Sequence, residues 1–339
     1  MRICYTTPLG DPREAAGLFA GIEAAGYDAA FSFESSHDPF IPLALAAGAT
    51  SSIRLGTAVA IGFARNPMIL ANIGYDLQLL TEGRFVLGLG SQIRPHIENR
   101  FSERWGRPAA RMREMVRAIR AIWDAWQTGG ELAFEGEFYR HTLMTPAFDP
   151  GPNPFGTAPI LVGGFGPAMV GVAGEVADGL VVHPFNSRRS VEETTLPALD
   201  AGLARAGRRR EEVEVIWVTN VVTWDDDAER EHALLMARAQ LAFYGSTPAY
   251  RPPMELHGWA DLQPALRALS KRGAWEEMAA LVPDEMLETL AVVGPRDEIA
   301  DRIVDRVAGL ERVDLALVNN RNPDPAYFAD VVAALRARI

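Results

Sequence analysis

Cysteine is almost missing from this chain: Cys4 is the only one in 339 residues. A single thiol excludes an internal disulfide and any cysteine-rich metal site. Lysine is as scarce, with Lys271 alone among 33 basic residues, a bias of codon usage rather than of chemistry. Long apolar runs are lacking too. No stretch reaches the roughly 18 residues that span a bilayer, so no membrane partner is expected. The chain enters a strand within two residues (Ile3-Cys4-Tyr5), which leaves no room for a signal peptide, and a cytoplasmic protein is the simplest reading. Nor is there an excess of positive charge. A net charge of −11 argues against general nucleic-acid binding, which wants a basic surface.

What is present is apolar residue, 48% of the chain and spread evenly, enough for one large barrel or two modest domains. Strand-like and helix-like segments alternate from end to end, the pattern of an α/β protein with a parallel sheet. Strands are expected at Arg2–Thr6, Ala29–Phe33, Ile53–Ile61, Arg84–Gly90, Ile160–Val162, Gly179–His183, Val213–Thr223 and Val313–Val318. Helices are expected over Pro12–Ala25, Pro39–Ala49 and from Asn66-Pro67 to Glu82. A long amphipathic helix runs over Pro108–Trp126, where Met112, Met115, Val116, Ile119, Ile122, Trp123 and Trp126 recur at helical spacing. Phe134–Tyr139 reads as a small hairpin, and Pro325–Arg338 as the closing helix. Eight strand–helix units point to a (β/α)8 TIM barrel forming one domain over 1–339, with a doubly wound open sheet as the alternative that strand counting leaves. Residues 245–292 break the alternation with an aromatic, Pro-rich stretch and two short helical patterns. This insertion before the last strand reads equally as a cap on the barrel mouth or as a packing flap.

In such a barrel ligands lie at the C-terminal ends of the strands, so the residues just beyond each strand carry the argument. After the second strand comes Glu34-Ser35-Ser36-His37-Asp38-Pro39. Among six histidines, His37 is the strongest candidate for proton transfer, since imidazole exchanges a proton near neutral pH. Asp38 reads as a helix N-cap. His96-Ile97-Glu98 mimics the H-x-E of zinc deaminases, but the two cysteine ligands that chemistry requires do not exist. Gly163-Gly164-Phe165-Gly166 precedes a helix and leaves backbone N–H groups able to hold a phosphate, without matching the dinucleotide spacing G-x-G-x-x-G. His183-Pro184-Phe185-Asn186-Ser187-Arg188-Arg189 follows the sixth strand.

The stretch Ile53 to Gln92, IRLGTAVAIGFARNPMILANIGYDLQLLTEGRFVLGLGSQ, reads as strand, turn, helix, strand with a glycine-rich close. It resembles the luciferase-like monooxygenase superfamily, in particular its coenzyme F420-dependent oxidoreductase branch, and the likeness extends over nearly the whole chain. The resemblance implies several placements. His37 would stand beside a flavin-type ring, with Glu34 three residues upstream. The bond Ala58-Val59, or an immediate neighbour, would be a non-prolyl cis peptide supporting the ring face. Ser91 and Gln92 would bind the pyrimidine edge. A proton donor a few residues further on falls at Ile93, with His96 or Glu98 as substitutes. Gly163, Gly164, Phe165 and Gly166 would bind the cofactor phosphate, near His183, and Arg188 and Arg189 an anionic tail. Tyr250, His257 and Trp259 would shape a substrate pocket from the insertion. The expected activity is hydride transfer between F420 and a small organic substrate. An FMN-dependent monooxygenase and a non-catalytic flavin-binding barrel are the rivals. A homodimer is the expected assembly.

Overall fold

The computed structural model describes residues 1–8, 10–318 and 324–339. Eight parallel strands close on one another: β1 Ile3–Pro8, β2 Ala29–Phe33, β3 Arg54–Thr57, β4 Phe85–Gly90, β5 Ile160–Gly164, β6 Gly179–Val182, β7 Glu214–Trp224 and β8 Val313–Val318. Each pairs with the next, and β8 returns to β1 with Cys4 opposite Ala316. The barrel is therefore shut, and the open-sheet alternative falls. β2, β4, β5, β6 and β8 carry near-continuous apolar runs because each strand is covered by helices outside and by other strands inside.

Period-two alternation sorts the barrel interior from its outer wall. Cys4, Phe31, Val86, Leu161, Val181, Ile216, Val218, Ala316 and Val318 pack together as the inner core. Burial pushes the Cys4 thiol well up, so it stays protonated and inert. The alternate residues, among them Ile3, Leu55, Leu87, Ile160, Leu180, Trp217 and Leu315, face the surrounding helices in a second, larger cluster. There the amphipathic helix Pro108–Thr128 buries Met112, Met115, Val116, Ile119, Ile122, Trp123 and Trp126. Gly74 lets this helix approach, since a Cβ there would come within 2.9 Å of the Trp123 ring. The N-terminal end is plugged by ion pairs: Arg54 Nη1 lies 2.8 Å from Glu214, which Arg2 also engages together with Asp314. Arg208 likewise serves the bottom of the molecule, donating to the carbonyls of Gly174 and Ala177.

Two expectations need correcting. The run Ile53–Ile61 is not one strand. It divides into β3 and a two-residue strand, Ala60–Ile61, around a cis Ala58–Val59 bond. Thr57 fills the break: its hydroxyl donates to Gly88 O at 2.7 Å and accepts from Gly88 N–H at 2.9 Å. Gly88 is required there, because a Cβ would sit 1.8 Å from Thr57 O. The second concerns the end of the insertion, placed by sequence at 292. Its helices Arg251–Leu256, Leu262–Arg272, Trp275–Ala280 and Asp284–Leu290 lead into a further strand, Ala291–Pro295. That strand pairs with the upper half of β7, from Asn220 opposite Ala291 to Trp224 opposite Pro295, whereas β6 pairs with the lower half. A five-residue apolar run placed directly after a helical pattern carries no turn signal to separate it. No helix among the described residues is long and apolar enough to cross a membrane.

Candidate active site

The C-terminal rim of the barrel is built from loops that the sequence punctuates with Pro, Gly and small polar residues. After β2, Asp38 Oδ1 accepts from Phe40 N–H at 2.8 Å and Ile41 N–H at 3.3 Å, starting the helix Ile41–Ala47. This holds the short loop that carries His37. The His37 ring is exposed, and among the described residues it makes no hydrogen bond. It lies near the β1 loop: Asp11, held below the usual carboxylate range first by its bonds to Arg13, also feels the His37 charge.

Glu34 does not orient His37. Its carboxylate, only 6% exposed, accepts from Ile61 N–H at 2.8 Å and Arg65 Nη1 at 2.6 Å, while its own N–H donates to Val59 O at 3.2 Å. Arg65 Nη2 continues to Asp38 Oδ2 at 2.8 Å, and the guanidinium stands 5.3 Å above the Phe40 ring. The Glu34–Arg65–Asp38 chain thus clamps the His37 loop to the segment holding Ala58 and Val59. Sequence reasoning missed Arg65. Its only signal was a cation four residues beyond an apolar strand that has two acidic residues in the neighbouring loop.

Beyond β4, Gln92 adopts a left-handed backbone with φ of 58°. Its Oε1 accepts from Ile93 N–H at 3.0 Å, and Ser91 Oγ donates to Gln92 O at 3.1 Å. Among the described residues the Gln92 amide NH2 makes no hydrogen bond. His96 is exposed on the helix Arg94–Asn99, and Glu98 is paired with Arg94 at 2.8 Å.

The glycine loop after β5 opens the helix Pro167–Val176. Gly166 caps it without a side-chain bond, and a Cβ at Gly166 would meet nothing within 4 Å, so the loop borders open space. Gly163 packs instead against Val59, 3.0 Å from a built Cβ. His183, at the end of β6, is enclosed by Phe165 and by Tyr244 and Tyr250, with ring centroids 5.6, 4.9 and 4.6 Å away. Burial alone pushes its pKa down to about 3, and the imidazole is neutral.

The structure does not gather the three insertion residues into one pocket. Tyr250 joins His183, with its Oη 3.1 Å from Nε2. His257 instead bonds Ser187 Oγ at 2.7 Å and stacks on Trp259 at 4.7 Å. It lines a separate cavity of about 590 Å³ with Arg188, Arg302 and Arg306. Arg188 and Arg189 are committed to Glu192 and Glu193.

Two inward-facing polar groups went unnoticed in the sequence. By alternation from Cys4 and Val218, Thr6 and Asn220 point into the barrel just above its apolar core. Both are buried, and neither the Thr6 hydroxyl nor either polar atom of the Asn220 side-chain amide has a hydrogen-bond partner among the described residues. Such groups are rare and costly unless a ligand completes them. Their signal was available: a threonine and an asparagine at inward positions of otherwise apolar strands. Among the described residues no cluster of metal-ligating side chains occurs.

A closed barrel with a polar seat, a glycine loop and a histidine at its C-terminal mouth is a cofactor-binding enzyme architecture. The chain belongs to the luciferase-like monooxygenase family, which it matches over residues 3–311. It is 54% identical to an uncharacterized protein of Mycobacterium tuberculosis over 296 residues, 87% of each chain. It is 31% identical to the F420-dependent glucose-6-phosphate dehydrogenase of Nakamurella multipartita, covering 82% of each chain. Its fold matches the coenzyme F420-dependent tetrahydromethanopterin reductase of Methanopyrus kandleri with a TM-score of 0.78 at 21% identity, over 98% of this chain and 96% of that one.

Proposed function

We propose that this protein is an F420-dependent oxidoreductase that exchanges a hydride between the deazaflavin and a small organic substrate. The observation that carries the reading is the seat at the barrel mouth: orphaned polar groups on Thr6 and Asn220 above an apolar floor. A flat heteroaromatic ring with polar edges satisfies such groups and covers such a floor. The open space at Gly166, at the start of a ten-residue helix, suits the phosphate that a flavin-type cofactor carries. The choice of F420 over FMN draws on the N. multipartita relative.

When bound, the deazaflavin supplies the hydride chemistry. The chain does the rest. Ala58 and Val59, held by the clamp from Glu34, would support the ring. Ser91 and the Gln92 amide would bind its pyrimidine end. Thr6 and Asn220 would hydrogen-bond its polar edge. His37, exposed at the rim and without a hydrogen bond among the described residues, exchanges one proton between solvent and substrate.

Titration of the purified protein with F420 and separately with FMN, followed by fluorescence and binding heat, tests the cofactor. Tight binding of F420 alone is expected. A preference for FMN would move the protein to the oxygen-using branch, and binding of neither would return it to the non-catalytic reading. His37→Ala is expected to lose at least about 100-fold in turnover while binding F420 as before. Unchanged turnover would remove His37 from the mechanism.

A further inference from the structure

The hydrogen bonds around His183 determine where its proton sits. Nδ1 accepts from the Phe185 backbone N–H at 3.1 Å, so it carries no hydrogen of its own. A neutral imidazole then bears its proton on Nε2. That nitrogen lies 3.1 Å from Tyr250 Oη and donates to it. Tyr250 therefore receives this bond as an acceptor, and its own hydroxyl proton is turned away from the ring. Among the described residues no group accepts that proton.

The surroundings fix the phenol in place and in its protonated form. The Tyr250 ring is wedged between Phe165 at 4.5 Å and His183 at 4.6 Å, with Phe185 and Tyr244 each at 5.9 Å. Burial, and secondarily Tyr244, pushes the Tyr250 pKa up, while burial keeps His183 neutral. The bond accepted from Nε2–H leaves the phenol its O–H as a donor, and burial keeps that proton in place. Phe165 belongs to the glycine loop and His183 ends β6, so the donor stands at the barrel mouth. It is enclosed by rings that strengthen any hydrogen bond it makes.

We propose that Tyr250 holds the substrate's oxygen, with His183 as the residue that positions it, and that the substrate is a carbonyl compound or the matching alcohol with an apolar body. The proposal rests on the oxidoreductase reading and names its substrate class. In the reducing direction the carbonyl carbon takes the hydride from the reduced deazaflavin, the C=O π bond opens, and the oxygen takes a proton from the solvent side. Tyr250 keeps its own proton throughout and serves as the donor that polarises the carbonyl. The half-buried rings of Phe165 and Tyr244 accept the apolar part.

Two measurements test this. Nitrogen-15 NMR of the histidine rings, with His183 assigned by its loss in His183→Gln, is expected to show the Nε2-protonated tautomer from pH 5 to 8. The second measurement compares cyclohexanone with methylenecyclohexane, which has the same shape without the acceptor, with and without F420. The wild type is expected to bind the ketone about five- to tenfold more tightly, the worth of one neutral hydrogen bond. Tyr250→Phe is expected to lose that ratio while binding the hydrocarbon as before and F420 within about twofold. A purely structural tyrosine would change both ligands together. A protonated Nδ1, a wild type without ketone preference, or a Tyr250→Phe protein that retains it each overturns the proposal. If F420 fails to bind, the oxidoreductase reading falls, and the tautomer and the ligand ratio on the apoprotein still decide the donor.

Discussion

The Glu34 carboxylate offers a quantitative test of how the mouth is held. Glu34→Ala removes the acceptor of the Ile61 N–H and one of the two anions facing Arg65. Arg65 is 13% exposed, and its remaining partner Asp38 is 37% exposed, so the guanidinium is left partly uncompensated. Breaking a buried pair from one side costs about 3–5 kcal/mol. The surviving Asp38 contact places this case near about 3 kcal/mol. An unfolding entropy of about 2.1 cal/mol/K per residue gives the 339-residue chain about 0.7 kcal/mol/K in total. The expected fall in Tm is then about 4 °C. Glu34→Gln keeps an oxygen for Ile61 N–H and loses only the charge, so it should fall about half as far. The double variant Glu34→Ala with Arg65→Ala should recover part of the loss, because no buried cation remains. Differential scanning calorimetry at pH 7 reads all three. A Glu34→Ala protein within about 1 °C of wild type, or a double variant less stable by the full sum, would refute the clamp.

Other expectations concern separate parts of the molecule. Asn220→Leu removes an unsatisfied amide from the barrel interior, so Tm should rise by about 1–4 °C for a cost of about 1–3 kcal/mol relieved, while F420 binding weakens; a fall in Tm with binding intact would contradict the seat. Glu23 accepts the backbone N–H groups of Ser51, Ser52 and Ile53, and although burial opposes it, these bonds draw its pKa from 4.5 down to about 2. Its folded value is depressed, so its stabilisation is complete above about pH 4.5 and disappears toward pH 2. The Tm gap between wild type and Glu23→Gln should therefore close over that window, and a gap independent of pH would refute the assignment. Ile41, Leu45, Ile69, Leu79 and Leu80 stand exposed on neighbouring helices. Light scattering should find a dimer that Ile69→Arg with Leu80→Arg converts to monomer, and a wild-type monomer would count against the dimer.

The sequence made the barrel legible because most of its strands are short, largely apolar runs set between helical patterns and punctuated by glycine, proline or a capping residue. It directs attention to the residues beyond the strand ends, since ligands bind at that end in this architecture. It did not reveal the division of Ile53–Ile61, for a hydroxyl that substitutes for a ladder bond leaves no mark on hydropathy. The strand Ala291–Pro295 was hidden for a related reason: its pairing partner, the second half of β7, lies about 70 residues away. Tyr250 and His257 looked equivalent as aromatic, polar members of one insertion. Only the fold sends one to His183 and the other to Ser187. Arg65 required knowing which way its side chain faces.

β7 is eleven residues long, and both ends of the insertion are moored to it. The chain leaves from its tip through the helix Asp227–Gly245 and comes back as a strand hydrogen-bonded to that same tip. The segment between is a loop whose two ends share one strand, with further ties to the loop after β6 through Tyr250 and His257. A change of length in its middle is therefore absorbed between fixed points and leaves the register of the eight barrel strands as it is.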